Sequence, residues 1–91
     1  MLAGKLQVSE DALFQEIGGE AVILDLASSS YFGLNAVGAR FWQLAAEGAE
    51  LSAVCDALLG EFEVERETLE QDLRDLLVEL SEAGLARWET A

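Results

Sequence analysis

The sequence predicts an α+β fold in which a small N-terminal three-stranded antiparallel sheet is followed by three helices. Two observations support this order. Short segments rich in β-branched and aromatic residues fill the first third of the chain, between turn signals. From residue 36 onward, apolar residues recur with the three- and four-residue spacing of amphipathic helices. Because 91 residues can bury one hydrophobic core but not two, we expect a single domain over residues 1–91.

Four short segments have the character of strands, namely residues 5–9, 12–17, 20–26 and 31–34. The third is the clearest, because it is apolar, rich in β-branched residues and preceded by the turn signal Gly18-Gly19. Ser28, Ser29 and Ser30 form a polar loop before the fourth segment. The third and fourth segments are therefore expected to form a hairpin.

The fourth segment should run directly into the first helix. Gly33 allows the chain to bend, and Asn35 is a strong candidate for the helix N-cap. The apolar face of this helix consists of Val37, Phe41, Leu44 and Ala45. These residues keep helical spacing, and the helix should end near Gly48.

Two more helices are predicted, over residues 51–59 and 65–83. Gly60 should end the first of them and Gly84 the second. The inward residues are expected to be Leu51, Val54, Leu58 and Leu59 in one helix, and Leu69, Leu73, Leu76, Leu77 and Leu80 in the other. Leu85, Ala86 and Trp88 are expected to add a last apolar anchor. Two helices over 36–59 with a hairpin attached have the outline of a winged helix-turn-helix.

The charge is strongly negative, with 18 acidic and 5 basic residues and a net charge of -13. A surface of this sign repels phosphate backbones and attracts basic partners, so we expect no nucleic-acid partner. No apolar run approaches the roughly 20 residues needed to span a bilayer. The first residues also do not form the basic segment and apolar core of a signal peptide. We therefore expect a cytoplasmic protein without a membrane partner.

The usual catalytic and metal-binding side chains are scarce. The chain has no histidine and one cysteine, Cys55, which rules out an intrachain disulfide, a Ser-His-Asp or Cys-His arrangement, and a common zinc site. Cys55 lies in an apolar helical pattern and is interpreted as a core residue. The carboxylates fall mainly on polar helix faces, where they are typically solvated. The sequence therefore predicts a binding module that is not an enzyme, with no metal and no cofactor.

Several motifs taken in order resemble the PqqD-like family, whose domain is also called the RiPP recognition element. They are Val22-Ile23-Leu24-Asp25-Leu26, Tyr31-Phe32-Gly33-Leu34-Asn35, Gly38-Ala39-Arg40-Phe41-Trp42, Asp72-Leu73 with Leu76-Leu77 and Leu80, and Gly84-Leu85. The resemblance covers roughly residues 5–88. It implies a winged helix-turn-helix-like fold that binds the leader segment of a ribosomally made precursor peptide and delivers it to modifying enzymes.

Within the family, the motifs are more similar to the stand-alone B1 proteins of lasso peptide pathways than to PqqD itself. PqqD usually has a proline- and glutamate-containing segment where this chain has Ala27-Ser28-Ser29-Ser30, and this chain has no proline. A lasso B1 protein implies two further partners, a leader peptidase of the B2 type and a cyclase. A PqqD-type chaperone in pyrroloquinoline quinone biosynthesis is the alternative within the family.

The resemblance also implies a binding site in which the leader adds as an antiparallel strand to the third strand of the sheet, beside the third helix. Carried onto this sequence, the peptide-binding residues are Ser30, Tyr31, Phe32, Gly33, Leu34, Leu69, Asp72, Leu73 and Leu76. An open strand edge offers unpaired backbone groups to a peptide. The same edge would allow a weak homodimer when no peptide is bound. Tyr31 and Phe32 should point to opposite sides of the strand.

Two functions from other classes are alternatives to leader binding. A DNA-binding winged helix is disfavoured, because Arg40 is the only base in the first helix and the second helix has none. An adaptor that holds a peptidase or cyclase through its acidic helix, independently of any leader, stays open. Truncating the peptide partner separates these hypotheses, because an adaptor would not respond to loss of a leader.

Overall fold

The computed structural model describes residues 2–18 and 20–89, and this part of the chain forms five strands and three helices. In chain order these are β1 (Lys5–Val8), β2 (Ala12–Ile17), β3 (Glu20–Asp25), β4 (Ser30–Leu34), α1 (Ala36–Ala46), α2 (Leu51–Glu61), α3 (Arg66–Glu82) and β5 (Ala86–Glu89). The predicted α+β class, with a three-stranded antiparallel sheet and three helices, is confirmed. The sequence predicts a turn at Gly18 and Gly19 before β3. Gly18 has a φ of 60°, and Gly19 lies outside the described residues.

The three-stranded sheet has the order β2-β3-β4, with both pairs antiparallel. Its inner face carries the cross-strand row Phe14, Ile23 and Phe32, and Ile23 is fully buried. The predicted hairpin between β3 and β4 is confirmed. Its loop is held by Asp25, whose carboxylate accepts hydrogen bonds from the Ala27 amide at 3.1 Å and the Ser28 hydroxyl at 2.8 Å.

The first predicted strand is confirmed as β1, but it does not join this sheet. It pairs instead with β5, antiparallel, in a second sheet of two strands. From the sequence alone, the segment of β5 is predicted only as an apolar anchor. Leu85 and Ala86 do anchor it, with exposures of 2% and 8%, and Trp88 donates its indole hydrogen to the Ala3 carbonyl at 2.8 Å. This arrangement fastens the C-terminal segment to the start of the chain.

The ends of α1 follow the predicted caps, whereas α2 is longer than predicted. Asn35 caps α1, since its side chain accepts a hydrogen bond from the Gly38 amide at 2.8 Å. The expectation that Gly60 ends α2 is wrong. The Phe62 amide still donates to the Leu58 carbonyl at 2.9 Å, so the helical turn continues through Gly60 to Glu61.

The C-terminus of α3 is closed by a Schellman motif around Gly84. The Leu85 amide donates to the Leu80 carbonyl at 3.0 Å, and the Gly84 amide donates to the Ser81 carbonyl at 3.1 Å. Gly84 has a φ of 74°, a conformation that L side chains rarely adopt. Leu80 and Leu85 are both buried, which adds the apolar contact typical of this motif.

Two glycine substitutions should therefore have opposite effects on stability. We expect Gly84→Ala to destabilise the protein by about 1–2 kcal/mol, because alanine must adopt the left-handed conformation. Gly60→Ala should stabilise it by up to about 1 kcal/mol, because Gly60 lies inside α2 and a Cβ there meets open space. Urea denaturation monitored by circular dichroism checks both. A Gly84→Ala protein as stable as the wild type would contradict the capping role.

The core lies between the helices and the inner surfaces of both sheets. Its fully buried side chains include Phe41, Leu51, Leu58, Leu69, Leu73, Leu77, Leu80 and Cys55. Among the described residues, no polar or charged residue is buried. Cys55 is thus a core residue, as predicted. Burial raises the pKa of its thiol above the ordinary value, and the negative charge of Glu70 adds to the effect.

This environment predicts an inert thiol at neutral pH. Cys55 should react with a thiol reagent at least about 100-fold more slowly in the native protein than in 6 M guanidinium, because labelling requires opening of the core.

Folding raises the pKa of the Cys55 thiol, so the thiol loses its proton at a lower pH in the unfolded state than in the native state. The contribution of Cys55 to stability should therefore decline as the pH rises above the unfolded value of about 8.5. Cys55→Ala should remove this part of the pH dependence, and fast native labelling would contradict the burial.

Candidate functional site

A groove of about 290 Å³ runs between β4 and α3. Its lining is mainly apolar and comes from β4, the start of α1, the connector before α3, and α3 itself. The apolar lining side chains are Phe32, Leu34, Val37, Val64, Leu69, Leu73 and Leu76. Leu69 and Leu73 are each 1% exposed and form the base, whereas Phe32, Leu34 and Leu76 are half-buried. The groove is therefore a shallow extension of the core to the surface.

The free edge of β4 lies beside this groove. Within the described residues, β4 pairs with β3 on one side and with no strand on the other. In an antiparallel arrangement, alternate residues of such an edge direct their N–H and C=O groups away from the sheet. The five residues of β4 extend over about 17 Å, at about 3.4 Å for each residue. The edge can thus pair with an extended peptide of about five residues.

Gly38 determines how closely the three elements around the groove approach one another. A Cβ atom at this position would lie 3.2 Å from Asn35 Oδ1 and 3.3 Å from Leu34 Cδ2. It would also lie 3.6 Å from Leu76 Cδ2 on α3. Asn35 cannot move away freely, because the same oxygen caps α1. The missing side chain at Gly38 therefore lets the end of β4, the start of α1 and the middle of α3 meet.

The structure brings seven of the nine predicted binding residues together around the groove. They are Phe32, Gly33, Leu34, Leu69, Asp72, Leu73 and Leu76. Tyr31 and Ser30 do not line it. Tyr31 lies on the opposite, outer face of the sheet and is 75% exposed, so the predicted division of Tyr31 and Phe32 between two faces is confirmed. Ser30 begins β4, and its hydroxyl lies 2.6 Å from that of Ser28 in the loop.

Six further residues line the groove but are not among the predicted binding residues. They are Asn35, Val37, Gly38, Val64, Asp75 and Glu79. Asp75 and Glu79 follow Asp72 by three and seven residues, so helical spacing alone could have placed them on the same face of α3. Val37 and Gly38 come from α1, and Val64 from the connector. Their positions depend on how the helices pack, which no local pattern reveals.

A second concave surface, larger than the groove, lies where the sheet meets α1. Its volume is about 850 Å³, and its lining includes Glu16, Glu20, Tyr31, Arg40 and Gln43. Arg40 is ion-paired there, with its Nε atom 2.9 Å from Glu61 Oε1. The neighbouring outer face of the sheet exposes apolar side chains, namely Leu13 at 42%, Ile17 at 62% and Tyr31 at 75%.

Residues 2–18 and 20–89 contain no group of three or more His, Cys, Asp or Glu side chains placed to hold a metal ion. Over the same ranges, no helix has the length and apolar character to cross a membrane.

The fold is α+β and winged helix-turn-helix-like, and its open sheet edge beside an apolar groove is an arrangement to which an extended peptide can add as a strand. The chain belongs to the PqqD family, that of the RiPP recognition element. The family profile, described as coenzyme PQQ synthesis protein D, matches residues 20–86. Members of this family are non-catalytic leader-binding proteins. No curated protein matches the chain in sequence.

Two solved structures resemble the chain over nearly its whole length. The first is TbiB1 in complex with the TbiA(beta) leader peptide, with 38% sequence identity and a TM-score of 0.81 over 93% of this chain and 99% of that one. The second is a lasso peptide synthetase B1 complexed with its leader peptide, with 29% identity and a TM-score of 0.80. That match covers 90% of this chain and 96% of the other.

Proposed function

We propose that this protein binds the leader segment of a ribosomally synthesised precursor peptide by strand addition to β4, and delivers it to modifying enzymes. The observation that carries this proposal is the open edge of β4 beside an apolar groove. The leader would lie antiparallel to β4, with alternate side chains in the groove. The site comprises the backbone of Ser30–Leu34 and the groove-facing side chains, among them Phe32, Leu69, Asp72, Leu73 and Leu76.

Backbone pairing and groove burial have different functions in this mode of binding. Each backbone hydrogen bond contributes about 0.5–1.5 kcal/mol net, and association opposes binding by about 4 kcal/mol or more. A five-residue edge therefore cannot supply high affinity alone. Burial of leader side chains in the groove, at about 25 cal/mol for each Å² of apolar surface, supplies the remainder and the specificity. Backbone bonds set the direction of the peptide, and the groove selects its sequence.

The proposed pathway is lasso peptide biosynthesis, in which the partners would be a B2-type leader peptidase and a lasso cyclase. Two observations support it. Both similar solved structures are B1 proteins bound to leader peptides, and the similarity extends over at least 90% of this chain. The chain also lacks proline throughout, including the loop before β4. The PqqD-type alternative uses the same groove with a different precursor, so a competition between the two kinds of leader distinguishes them.

Backbone methylation of the leader tests strand addition directly. The probe is a fluorescent TbiA(beta) leader peptide, titrated into the protein and followed by anisotropy. N-methylation of one residue at a time should weaken binding by at least about 10-fold at every second position of the bound segment, because those amides face β4. Intervening positions should change it less than about threefold. Absence of saturable binding, or losses without a two-residue period, would contradict the proposal.

A contact with partner proteins is supported by a different surface. The outer sheet face exposes three large apolar side chains, Leu13, Ile17 and Tyr31, which could be covered by a partner protein. It adjoins β4 but faces away from the groove. We therefore place the peptidase on this face, whereas the adaptor hypothesis places it on the acidic helix. Leu13→Asp should leave leader affinity unchanged and weaken peptidase binding. If full-length precursor failed to bind while the peptidase still did, the protein would be an adaptor only.

A further inference from the structure

The groove between β4 and α3 is charged on one side only. Its apolar floor is bordered on the α3 side by Asp72, Asp75 and Glu79, all of them exposed. The β4 side contributes Phe32, Gly33 and Leu34, none of which is charged. An extended peptide in the groove would therefore have backbone partners along one side and three carboxylates along the other.

The three carboxylates lie on one face of α3 without compensating charge. Spacings of three and four residues bring their side chains together, and like charges at these spacings destabilise a helix. Within the described residues, no cation comes within 4.0 Å of them, and Asp75 accepts only a neutral hydrogen bond, from Gln71 at 3.0 Å. The arginines of α3 pair elsewhere: Arg66 and Arg74 contact Glu70 at 3.6 and 3.7 Å.

The arginines of α3 thus form their ion pairs away from the groove. A metal ion does not explain the arrangement, because the described residues contain no cluster placed to hold one. The unpaired charge beside a peptide groove is what a positively charged peptide would complement.

We infer that the leader recognised by this groove is basic on its groove-facing side, with Lys or Arg at two positions separated by one residue. This inference rests on the proposed function and specifies its substrate class. Side chains two residues apart on a strand are separated by about 6.8 Å, whereas Asp75 and Glu79 are separated by about 6 Å along the helix axis. The aliphatic part of each Lys or Arg side chain covers the apolar floor, while its charged end reaches the acidic rim formed by Asp72, Asp75 and Glu79.

A peptide selection with matched variants tests the inference. A phage-displayed random library of 12-residue peptides is selected on the wild type and on three variants. The rim variant combines Asp72→Asn, Asp75→Asn and Glu79→Gln. The control combines Glu10→Gln, Glu47→Gln and Glu82→Gln, which remove the same charge from exposed positions outside the groove. Leu76→Asp blocks the groove itself.

The expected result is enrichment of peptides with Lys or Arg at alternate positions on the wild type and the control. Selected peptides should bind the rim variant about 5- to 30-fold more weakly, and 1 M NaCl should weaken wild-type binding similarly. The rim variant should unfold at the same or a higher temperature than the wild type, because its carboxylates repel one another. A loss of affinity without a loss of stability separates recognition from a structural role.

Two other outcomes are distinguishable. In the first, the selected peptides depend on the groove, as shown by loss of their binding to the Leu76→Asp variant, and yet show no preference for basic residues. This result would overturn the inference and leave leader binding intact. So would a basic preference that persists on the rim variant or disappears equally on the control. If no selected peptide depended on Leu76, both this inference and the proposed strand addition would fail.

Discussion

Leu76→Asp should abolish leader binding, with an affinity loss of at least about 100-fold, or about 2.7 kcal/mol. Leu76 is half-buried in the groove, and its Cδ2 atom lies near the position that a Gly38 side chain would occupy. A carboxylate there places charge against the apolar floor and next to Asp72 and Asp75. A bound peptide would have to bury this charge without a partner. Anisotropy titration with the TbiA(beta) leader peptide measures the effect.

Val78→Asp is the matched control, because it introduces the same charge into the same helix. Val78 is 53% exposed and does not line the groove, so its variant should bind the leader within about twofold of the wild type. Phe32→Asp approaches the groove from β4 and should reproduce the loss. Each variant must first give the circular dichroism spectrum of the wild type. Equal losses in Leu76→Asp and Val78→Asp would show that net charge, not the groove, governs binding.

Phe41→Ala should be the most destabilising single truncation, lowering the free energy of unfolding by about 3–5 kcal/mol. Phe41 is fully buried in the core that α1 forms with the sheet and the other helices. Removal of its ring leaves a cavity that the surrounding side chains fill only partly. Domains of this size have about 5–14 kcal/mol of stability in total, so the thermal midpoint should fall by about 15 °C or more.

Tyr31→Ala removes an aromatic ring of similar size from the surface. Tyr31 is 75% exposed on the outer sheet face, and its truncation should change stability by less than about 1 kcal/mol. Calorimetry of the two variants gives the comparison. Similar losses in both would mean that Tyr31 is packed more closely than its exposure indicates.

Local patterns were sufficient for most of the secondary structure. The strand character of β2 and β3, the Asn35 cap of α1 and the regularly spaced leucines of α3 each depend on residues close in sequence, and each is observed. Gly60 shows the limit of such reasoning. A glycine can end a helix, but here the continued hydrogen bonding to Phe62 carries α2 past it.

The candidate site could be predicted only in part. The resemblance to the PqqD-like family, carried onto residues 30–34 and the third helix, predicted seven of the residues that line the groove. The contributions of Val37, Gly38 and Val64 could not be obtained this way. They depend on the close approach of β4, α1 and α3 at Gly38, which is a property of packing.

By itself the sequence determined the fold class, the acidic charge, the scarcity of catalytic side chains and the strand-to-helix junction at Asn35, because these follow from composition and from neighbours within a few residues. Only the tertiary structure decided that β1 lies outside the three-stranded sheet and pairs with β5, some 80 residues away. It also decided that Phe32 and not Tyr31 faces the groove. Within the described part of the chain, it leaves Asp72, Asp75 and Glu79 on α3 without an ion pair. Pairing of distant strands and the position of charges depend on which surfaces the core brings together, and that is settled only when the whole chain packs.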